Sequence, residues 1–445
     1  MPDWGRSGEA SAAVRAGAEG AAGDVVAATA PAPRSAAVAP VAPLPVHAGR
    51  ILERRWFPGS AVARALGVYG AVLGVLLVVS WQVVARYTEH RPGVPPVEVR
   101  GGWFWGGWVR YDAGWYVGIV ESGYAYQPGR QSSVAFFPGY PLLVRAVDAV
   151  VGNPPLAGIL VTIACGAAAL VVFHGWCRGR LGGEAAAVAL LCLALYPYAF
   201  YLYGAVYAEA LFLLCAVAAF TAFERDRLLL AGVAGALASG TRVVGIAVVV
   251  GLVVGVAERR QVLRTGAGLG WRARLDLSRL QARDAWVLLS SVGFVAWAAY
   301  QWARFGDPLL FARIQEAWGQ GSGPETWFKR DFLASVAGIR GDRLYAYGLW
   351  AHAAVSVAVL ASVPGVARRF GLRYAAYVAV AAGIPLLGSQ DFHAMGRYLI
   401  VVFPSFALLG AHLDERPALR RVVLPLSAAA LLALTVGFAN GRYVS

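Results

Sequence analysis

The chain is short of charge. Charged residues fill 14% of its 445 positions and hydrophobic ones 58%, where a soluble domain carries about a quarter charged residues. A soluble fold of this length could not hide so much apolar side chain in one core. Cysteine is scarce as well. Cys165, Cys177, Cys192 and Cys215 are the whole set, all within or at the end of apolar runs and none in a CxxC pair. That argues against a disulfide framework and a thiolate zinc site, and the four read as small hydrophobes. Lysine is nearly absent, so arginine carries almost all the basic charge, a usage that suggests a GC-rich bacterial genome. No HExxH, no DxD and no Cys/His ligand spacing occurs, which leaves no motif for a metal. No apolar core with a cleavage site follows Met1, so a cleaved leader is not expected. No internal repeat is evident.

What the sequence does have is apolar runs. Stretches of about 20 such residues, the length that crosses a bilayer, recur from residue 62 onward. Membrane segments are expected at 62–84, 155–176, 184–203, 205–223, 284–303, 344–363, 374–390, 396–412 and 421–440, with a short interfacial helix at 137–151. The net charge is +14, but it sits in short clusters between apolar runs. That pattern orients a membrane protein and favours anionic lipid head groups; it is not a nucleic-acid surface.

The segment 228–257 is too long for one upright span, since thirty helical residues measure about 45 Å. Gly240-Thr241-Arg242 interrupts it, and Gly245 follows. Two half-helices forming a hairpin are predicted. Charge agrees, because arginine clusters flank both ends and the chain must return to the side it left. The fold class that follows is all-α and polytopic, with about 9–11 membrane segments including the broken-helix hairpin. Residues 1–60, rich in Ala, Pro, Gly and Val, are expected to be a disordered cytoplasmic tail, and 61–445 the membrane domain. With the N-terminus cytoplasmic, the 85–135 loop, the 304–343 loop and the 391–397 turn fall on the outer face.

That face collects ionisable groups from distant parts of the chain: Asp112, Glu209, Arg242, Asp391, His393 and Arg397. Such groups at membrane depth are costly and mark function. A carboxylate in an aromatic setting can take a proton from a hydroxyl, while Arg and His⁺ can hold a phosphate leaving group. Backbone N–H groups after Gly240-Thr241 would add a helix N-terminus as an anion site. Each residue also has a plain structural role open to it. Asp112 and Glu209 could cap helices, Arg242 could snorkel, His393 could be an interfacial histidine, and Asp391 could pair with Arg397. The aromatics Trp103, Trp105, Trp108, Trp115, Tyr116, Tyr124 and Tyr126 could be an interfacial belt, although functional loops often have the length of 85–135.

A set of motifs turns these options toward one family. They are Tyr111-Asp112-Ala113-Gly114-Trp115-Tyr116, Ser122-Gly123-Tyr124, Phe136-Phe137-Pro138-Gly139-Tyr140-Pro141-Leu142-Leu143, Tyr196-Pro197, Tyr207-Ala208-Glu209-Ala210-Leu211-Phe212, Ser239-Gly240-Thr241-Arg242 and Met395-Gly396-Arg397-Tyr398. In their order and spacing the chain resembles the PIG-V-like mannosyltransferases of the GT-C superfamily, from about Trp103 to Pro404. The resemblance implies a GT-C-type polytopic enzyme with its catalytic carboxylate, Asp112, in the first external loop. It implies inverting, metal-independent transfer of mannose from a polyprenyl-phosphate carrier, the donor being a substrate, with no cofactor. Glu209, Arg242, His393, Arg397, Tyr111, Trp115 and Tyr207 are the expected substrate-binding residues. One departure is Val243-Val244, where the family often has a polar residue before the glycine. The acceptor, whether lipid, glycan or protein, does not carry over. The alternatives are another polyprenyl-phosphate sugar, such as arabinose, or a membrane transporter or lipid flippase. Transporters usually carry repeats, which this chain lacks.

Overall fold

A computed structural model describes residues 59–86, 97–262, 276–320, 323–337 and 343–444. The expected tail at 1–60 lies outside the described residues, apart from Gly59 and Ser60, which open the first helix. The described residues form helices, 3-10 turns and connections, with no strand. The main helices are α1 (Gly59–Arg86), α2 (Ala113–Ser122), α3 (Gly139–Val151), α4 (Pro154–Leu181), α5 (Gly183–Ala194), α6 (Glu209–Glu224), α7 (Leu228–Ser239), α8 (Ile246–Arg259), α9 (Val292–Phe305), α10 (Arg343–Phe370), α11 (Leu372–Gly388), α12 (Phe403–Asp414) and α13 (Pro417–Ala439).

Four of them, spanning 59–86, 154–181, 347–370 and 417–439, are individually long and apolar enough to cross a membrane. A fifth span arises if Met395–Val401 and Phe403–Asp414, bent by 84° to each other, are taken together. The other expected segments are built from shorter helices, and proline explains two of the breaks. The 184–203 run is helical only to Ala194, because Pro197 withdraws its N–H and disfavours helix in the residue before it; a 3-10 turn at Ala199–Leu202 follows. Pro404 opens α12 and ends the run begun at Met395 in the same way. The 205–223 segment becomes helical only at Glu209, and 284–303 begins as a 3-10 stretch, Ala282–Ser291, before α9. The 85–135 loop is not a plain loop, since it contains α2 and a short helix at Gly102–Trp105. Residues 87–96 of it lie outside the described residues.

Local sequence accounts for helix ends where the signals are strong. The Asn153 side chain accepts the Leu156 N–H at 3.2 Å, Pro154 and Pro155 fill the first turn of α4, and Arg178 and Arg180 lie in its last turn beside the negative end of the dipole. Small residues let helices approach closely, the usual packing device in a membrane. A Cβ on Gly410 of α12 would sit 2.3 Å from Ala189 Cα of α5. Buried aromatics fill the centre, where Trp176 Nε1 donates to Tyr374 Oη at 2.8 Å and both rings pack on Phe403.

The predicted hairpin is present. Arg242 is extended (φ −154°, ψ 152°) between α7 and α8. The two ends of the segment meet, since Arg259 Nη1 at the end of α8 lies 2.6 Å from Asp226 Oδ1, just before α7. That settles the choice between a hairpin and one tilted helix. Ion pairs gather the surrounding loops onto one face. Glu224 binds Arg180, Arg373 binds Glu258 at 2.6 Å, Arg260 binds Asp284 at 2.9 Å and Arg283 binds Asp226 at 2.7 Å. The arginine clusters at 178–180, 259–260 and 283, with Arg373, therefore share one end of the bundle.

Candidate functional site

The break between α7 and α8 carries Arg242 away from that arginine-rich end. The segment around Gly139 docks on the break, its N–H donating to Gly240 O at 2.7 Å. Two of the sequence motifs thus meet here. A third begins α6 with Glu209, and a fourth forms the short helix Met395–Tyr398 with Arg397. Asp112 occupies the residue before α2 and makes no side-chain cap bond to it. The carboxylate is left for other partners.

Those partners form a chain of four charges. Glu209 Oε1 is in ion-pair contact with Arg242 Nη1 and lies 3.6 Å from Arg397 Nε; Arg397 Nη1 reaches Asp112 Oδ2 at 2.7 Å. Arg397 therefore pairs with Asp112, and not with Asp391, a pairing the sequence left open. Asp391 instead accepts the His393 N–H at 2.9 Å. Burial is graded along the chain, with side-chain exposures of 1% for Glu209, 7% for Arg397, 14% for Arg242 and 23% for Asp112. Glu209 is thus the floor and Asp112 the open end. Glu209 Oε2 is buried with no hydrogen-bond partner among the described residues. Two carboxylates against two guanidiniums cancel, which is how four charges can coexist at this depth.

Aromatic rings wall the cluster. The Arg397 guanidinium lies 4.9, 5.1 and 5.7 Å from the ring centres of Tyr398, Tyr207 and Tyr201, and that of Arg242 lies 5.4 Å from Tyr398. Cation–π contact steadies both cations in a poorly hydrated place. Tyr207 also anchors Asp112. Its hydroxyl donates to Arg110 O at 3.1 Å and accepts the Asp112 N–H at 3.2 Å. Behind Arg397, Gly396 lets its turn press on Tyr198, whose ring would lie 2.3 Å from an added Cβ.

The remaining expected residues divide. Tyr111 adopts φ 53° and donates through its hydroxyl to Gly441 O at 2.6 Å, so it braces the chain after α13. The ring of His393 stacks on Tyr443, with centres 4.7 Å apart. Burial lowers the pKa of His393 from its usual value, Arg397 adds to the shift and Asp391 opposes it. The shift disfavours the imidazolium form. The Trp115 ring packs on Phe136 and Trp318 at 5.9 and 5.8 Å, while its backbone N–H donates to Asp112 O at 3.0 Å. Tyr398 and Tyr201 are part of the wall without having been singled out. Tyr398 was legible as the neighbour of Arg397; Tyr201 had only its place in an aromatic-rich stretch to mark it.

The site can do three things chemically. It holds one partly exposed carboxylate beside a cation, it offers two guanidiniums to an anion, and it buries Glu209 and Arg397 away from bulk water.

No known family model matches the chain, and no curated protein matches it in sequence. Among solved structures it is similar to ArnT from Cupriavidus metallidurans bound to undecaprenyl phosphate, with a TM-score of 0.45, 16% identity, 84% of this chain covered and 76% of that one. It is also similar to the oligosaccharyltransferase of Archaeoglobus fulgidus in complex with zinc and sulfate, with a TM-score of 0.42 and 14% identity, covering 84% of this chain. The match spans 53% of the oligosaccharyltransferase, about half its length.

Proposed function

We propose that this chain is an inverting glycosyltransferase that moves a mannosyl residue from a polyprenyl-phosphate carrier to a hydroxyl acceptor on the outer face of the membrane. The observation that carries the reading is the chain Asp112–Arg397–Glu209–Arg242, with the carboxylate at its open end 2.7 Å from a guanidinium. Support from the sequence is the ordered set of motifs that resemble the PIG-V-like branch of the GT-C superfamily.

Arg397 neutralises Asp112 and Arg242 neutralises Glu209. A lipid phosphate competes for the guanidiniums. As Arg397 and Arg242 turn to its oxygens, Asp112 loses its cation and becomes the stronger base. The acceptor oxygen then attacks the anomeric carbon from the side opposite the phosphate. A new C–O bond forms, the anomeric C–O bond to phosphate breaks, and that electron pair leaves on the phosphate oxygen. The acceptor proton passes to the Asp112 carboxylate. Charge growing on the phosphate meets two preorganised guanidiniums, the type of stabilisation worth most in a water-poor site. In this reading the guanidiniums, and not a divalent ion, meet that charge.

The test is transfer of radiolabelled mannose from polyprenyl-phosphate-mannose in membranes, with wild type beside Asp112→Asn and an EDTA arm. Transfer should survive EDTA and fall at least ~100-fold in the variant, the lower end for general-base catalysis, with insertion unchanged. Substantial transfer by Asp112→Asn removes Asp112 as the base. Loss with EDTA removes the metal-free reading. Absence of transfer in well-expressed wild type points to another sugar donor first and a transporter second.

A further inference from the structure

A cavity of about 370 Å³ lies between α2, α3 and α9. Two contacts fix its depth. The Gly139 N–H at the start of α3 donates to Gly240 O at 2.7 Å, and the Phe294 N–H near the start of α9 donates to Ser239 Oγ at 3.3 Å. Both helices therefore touch the break between α7 and α8. Arg283, before α9, belongs to the arginine-rich end, so Ala296 and Trp297 carry the cavity to the other side of the break. Ile119, Val120, Pro141, Leu142 and Ala296 make its walls apolar. Leu142 and Val150 of α3 are exposed, which in a multi-pass membrane protein turns this helix toward lipid. Three polar groups interrupt the lining. Arg145 is exposed, and its guanidinium has no hydrogen bond, ion pair or ring contact among the described residues; Asp148, one turn on, does not pair with it. Trp297 is 2% exposed, yet its indole N–H has no hydrogen-bond partner among the described residues. Neither has the buried hydroxyl of Tyr124, whose ring centre lies 4.6 Å from that of Trp297.

We propose that this cavity binds an anionic phospholipid, with its phosphate on Arg145, one acyl chain against the apolar walls and an ester carbonyl beside Trp297 and Tyr124. Each part of the lipid meets a group that packing leaves unexplained. Buried indole and phenol groups nearly always find a hydrogen-bond partner, and an ester carbonyl is an acceptor that donates nothing in return. A guanidinium is the best side-chain partner for a phosphodiester, and near a bilayer it favours a lipid of net negative charge. A free phosphate would use Arg145 but gain nothing from the apolar walls. The polyprenyl carrier has one anionic head, which the reading above gives to Arg242 and Arg397, so its tail would leave Arg145 unmatched. The site is therefore a lipid site apart from the four charges, and it does not need the transferase reading to be correct.

The experiment is native mass spectrometry of the full chain in detergent, titrated with phosphatidylglycerol or with phosphatidylcholine of the same acyl chains, for wild type, Arg145→Gln and Ala296→Trp. Wild type should bind one phosphatidylglycerol saturably and about fivefold more tightly than phosphatidylcholine, the scale of one basic residue beside an anionic lipid. Arg145→Gln should bind the two lipids alike. Ala296→Trp, which fills the cavity from an exposed position, should lose the saturable site. Thermal unfolding checks that each variant is folded, and Leu142→Trp, at a position 61% exposed, replaces Ala296→Trp if that one is not. Equal binding of the two lipids by wild type, or an unchanged preference in Arg145→Gln, overturns the proposal. Saturable binding that survives the cavity-filling variant overturns it too. A third arm adds polyprenyl phosphate to the phosphatidylglycerol complex. Displacement one for one, weakened by Arg145→Gln, would give the cavity to the carrier and overturn the phospholipid; retention of phosphatidylglycerol while the carrier binds supports it. None of these readouts needs turnover, so they hold or fail whether or not the chain transfers a sugar.

Discussion

Glu209 is the residue whose removal should be felt most. Replacing it by Gln keeps the shape and deletes the charge that faces both Arg242 and Arg397. At an effective dielectric constant of about 20, unit charges 4 Å apart attract by ~4 kcal/mol. Removing one partner of a buried pair typically costs ~3–5 kcal/mol, because the other charge stays buried and uncompensated. Arg397 keeps Asp112 at 2.7 Å, so most of the loss falls on Arg242. Glu209→Gln should therefore destabilise the protein by roughly 3–5 kcal/mol, lowering its unfolding midpoint in detergent by about 3–5 °C in a chain of 445 residues. A second change isolates the cause. Arg242→Gln in the Glu209→Gln background leaves two neutral groups facing each other, and it should recover much of the stability, with a coupling of ~2 kcal/mol or more in the double-mutant cycle. Thermal unfolding followed by size-exclusion recovery measures all four proteins. Additive effects within about 0.5 kcal/mol, or a Glu209→Gln variant as stable as wild type, would refute the reasoning and leave the buried carboxylate without a pairing role.

Other outcomes follow from single contacts. Lys329 is the chain's sole lysine. Its ammonium donates to Leu386 O and Ser389 O, and burial lowers its pKa to about 8. The dimethyl-lysine resonance of reductively methylated protein should titrate near that value and not near 10.5. Because the folded state releases this proton before the unfolded chain does, stability relative to Lys329→Met should rise with pH from about 8 to 10.5; a flat difference removes the shift. Gly410→Ala should cost ~1–3 kcal/mol by overpacking, since its Cβ would meet Ala189 backbone, and thermal unfolding should show Gly410→Leu to be worse. Arg397→Lys keeps a charge but not the fork that spans Asp112 and Glu209. It should lower transfer more than it lowers the unfolding midpoint, and equal losses in both would make Arg397 a structural residue.

How legible the site was depends on how each residue is held. Asp112, Glu209, Arg242 and Arg397 stood out because a charge in an apolar stretch is conspicuous whatever surrounds it. Their pairing was not legible. Asp391 lies six positions before Arg397, yet Arg397 reaches Asp112, 285 positions away, on a short helix bent by 84° from the one that follows. The burial that disfavours a charged His393 was not legible either. Trp115 shares a motif with Asp112, but its ring packs on Phe136 and Trp318, partners that the motif does not state.

Composition and the spacing of apolar runs were enough to determine that this is an all-helical membrane protein, since no other solvent or secondary structure accommodates so many uncharged apolar segments. The hairpin at Gly240 was also within reach, because thirty residues do not fit upright in a bilayer and charge had to return to one side. The short helices inside expected spans, the balance of two carboxylates with two guanidiniums, and the stacking of Tyr443 on His393 were decided by tertiary structure alone. Each depends on contacts between residues far apart in the chain, and apolar periodicity reports only which face of a segment is buried, never against what.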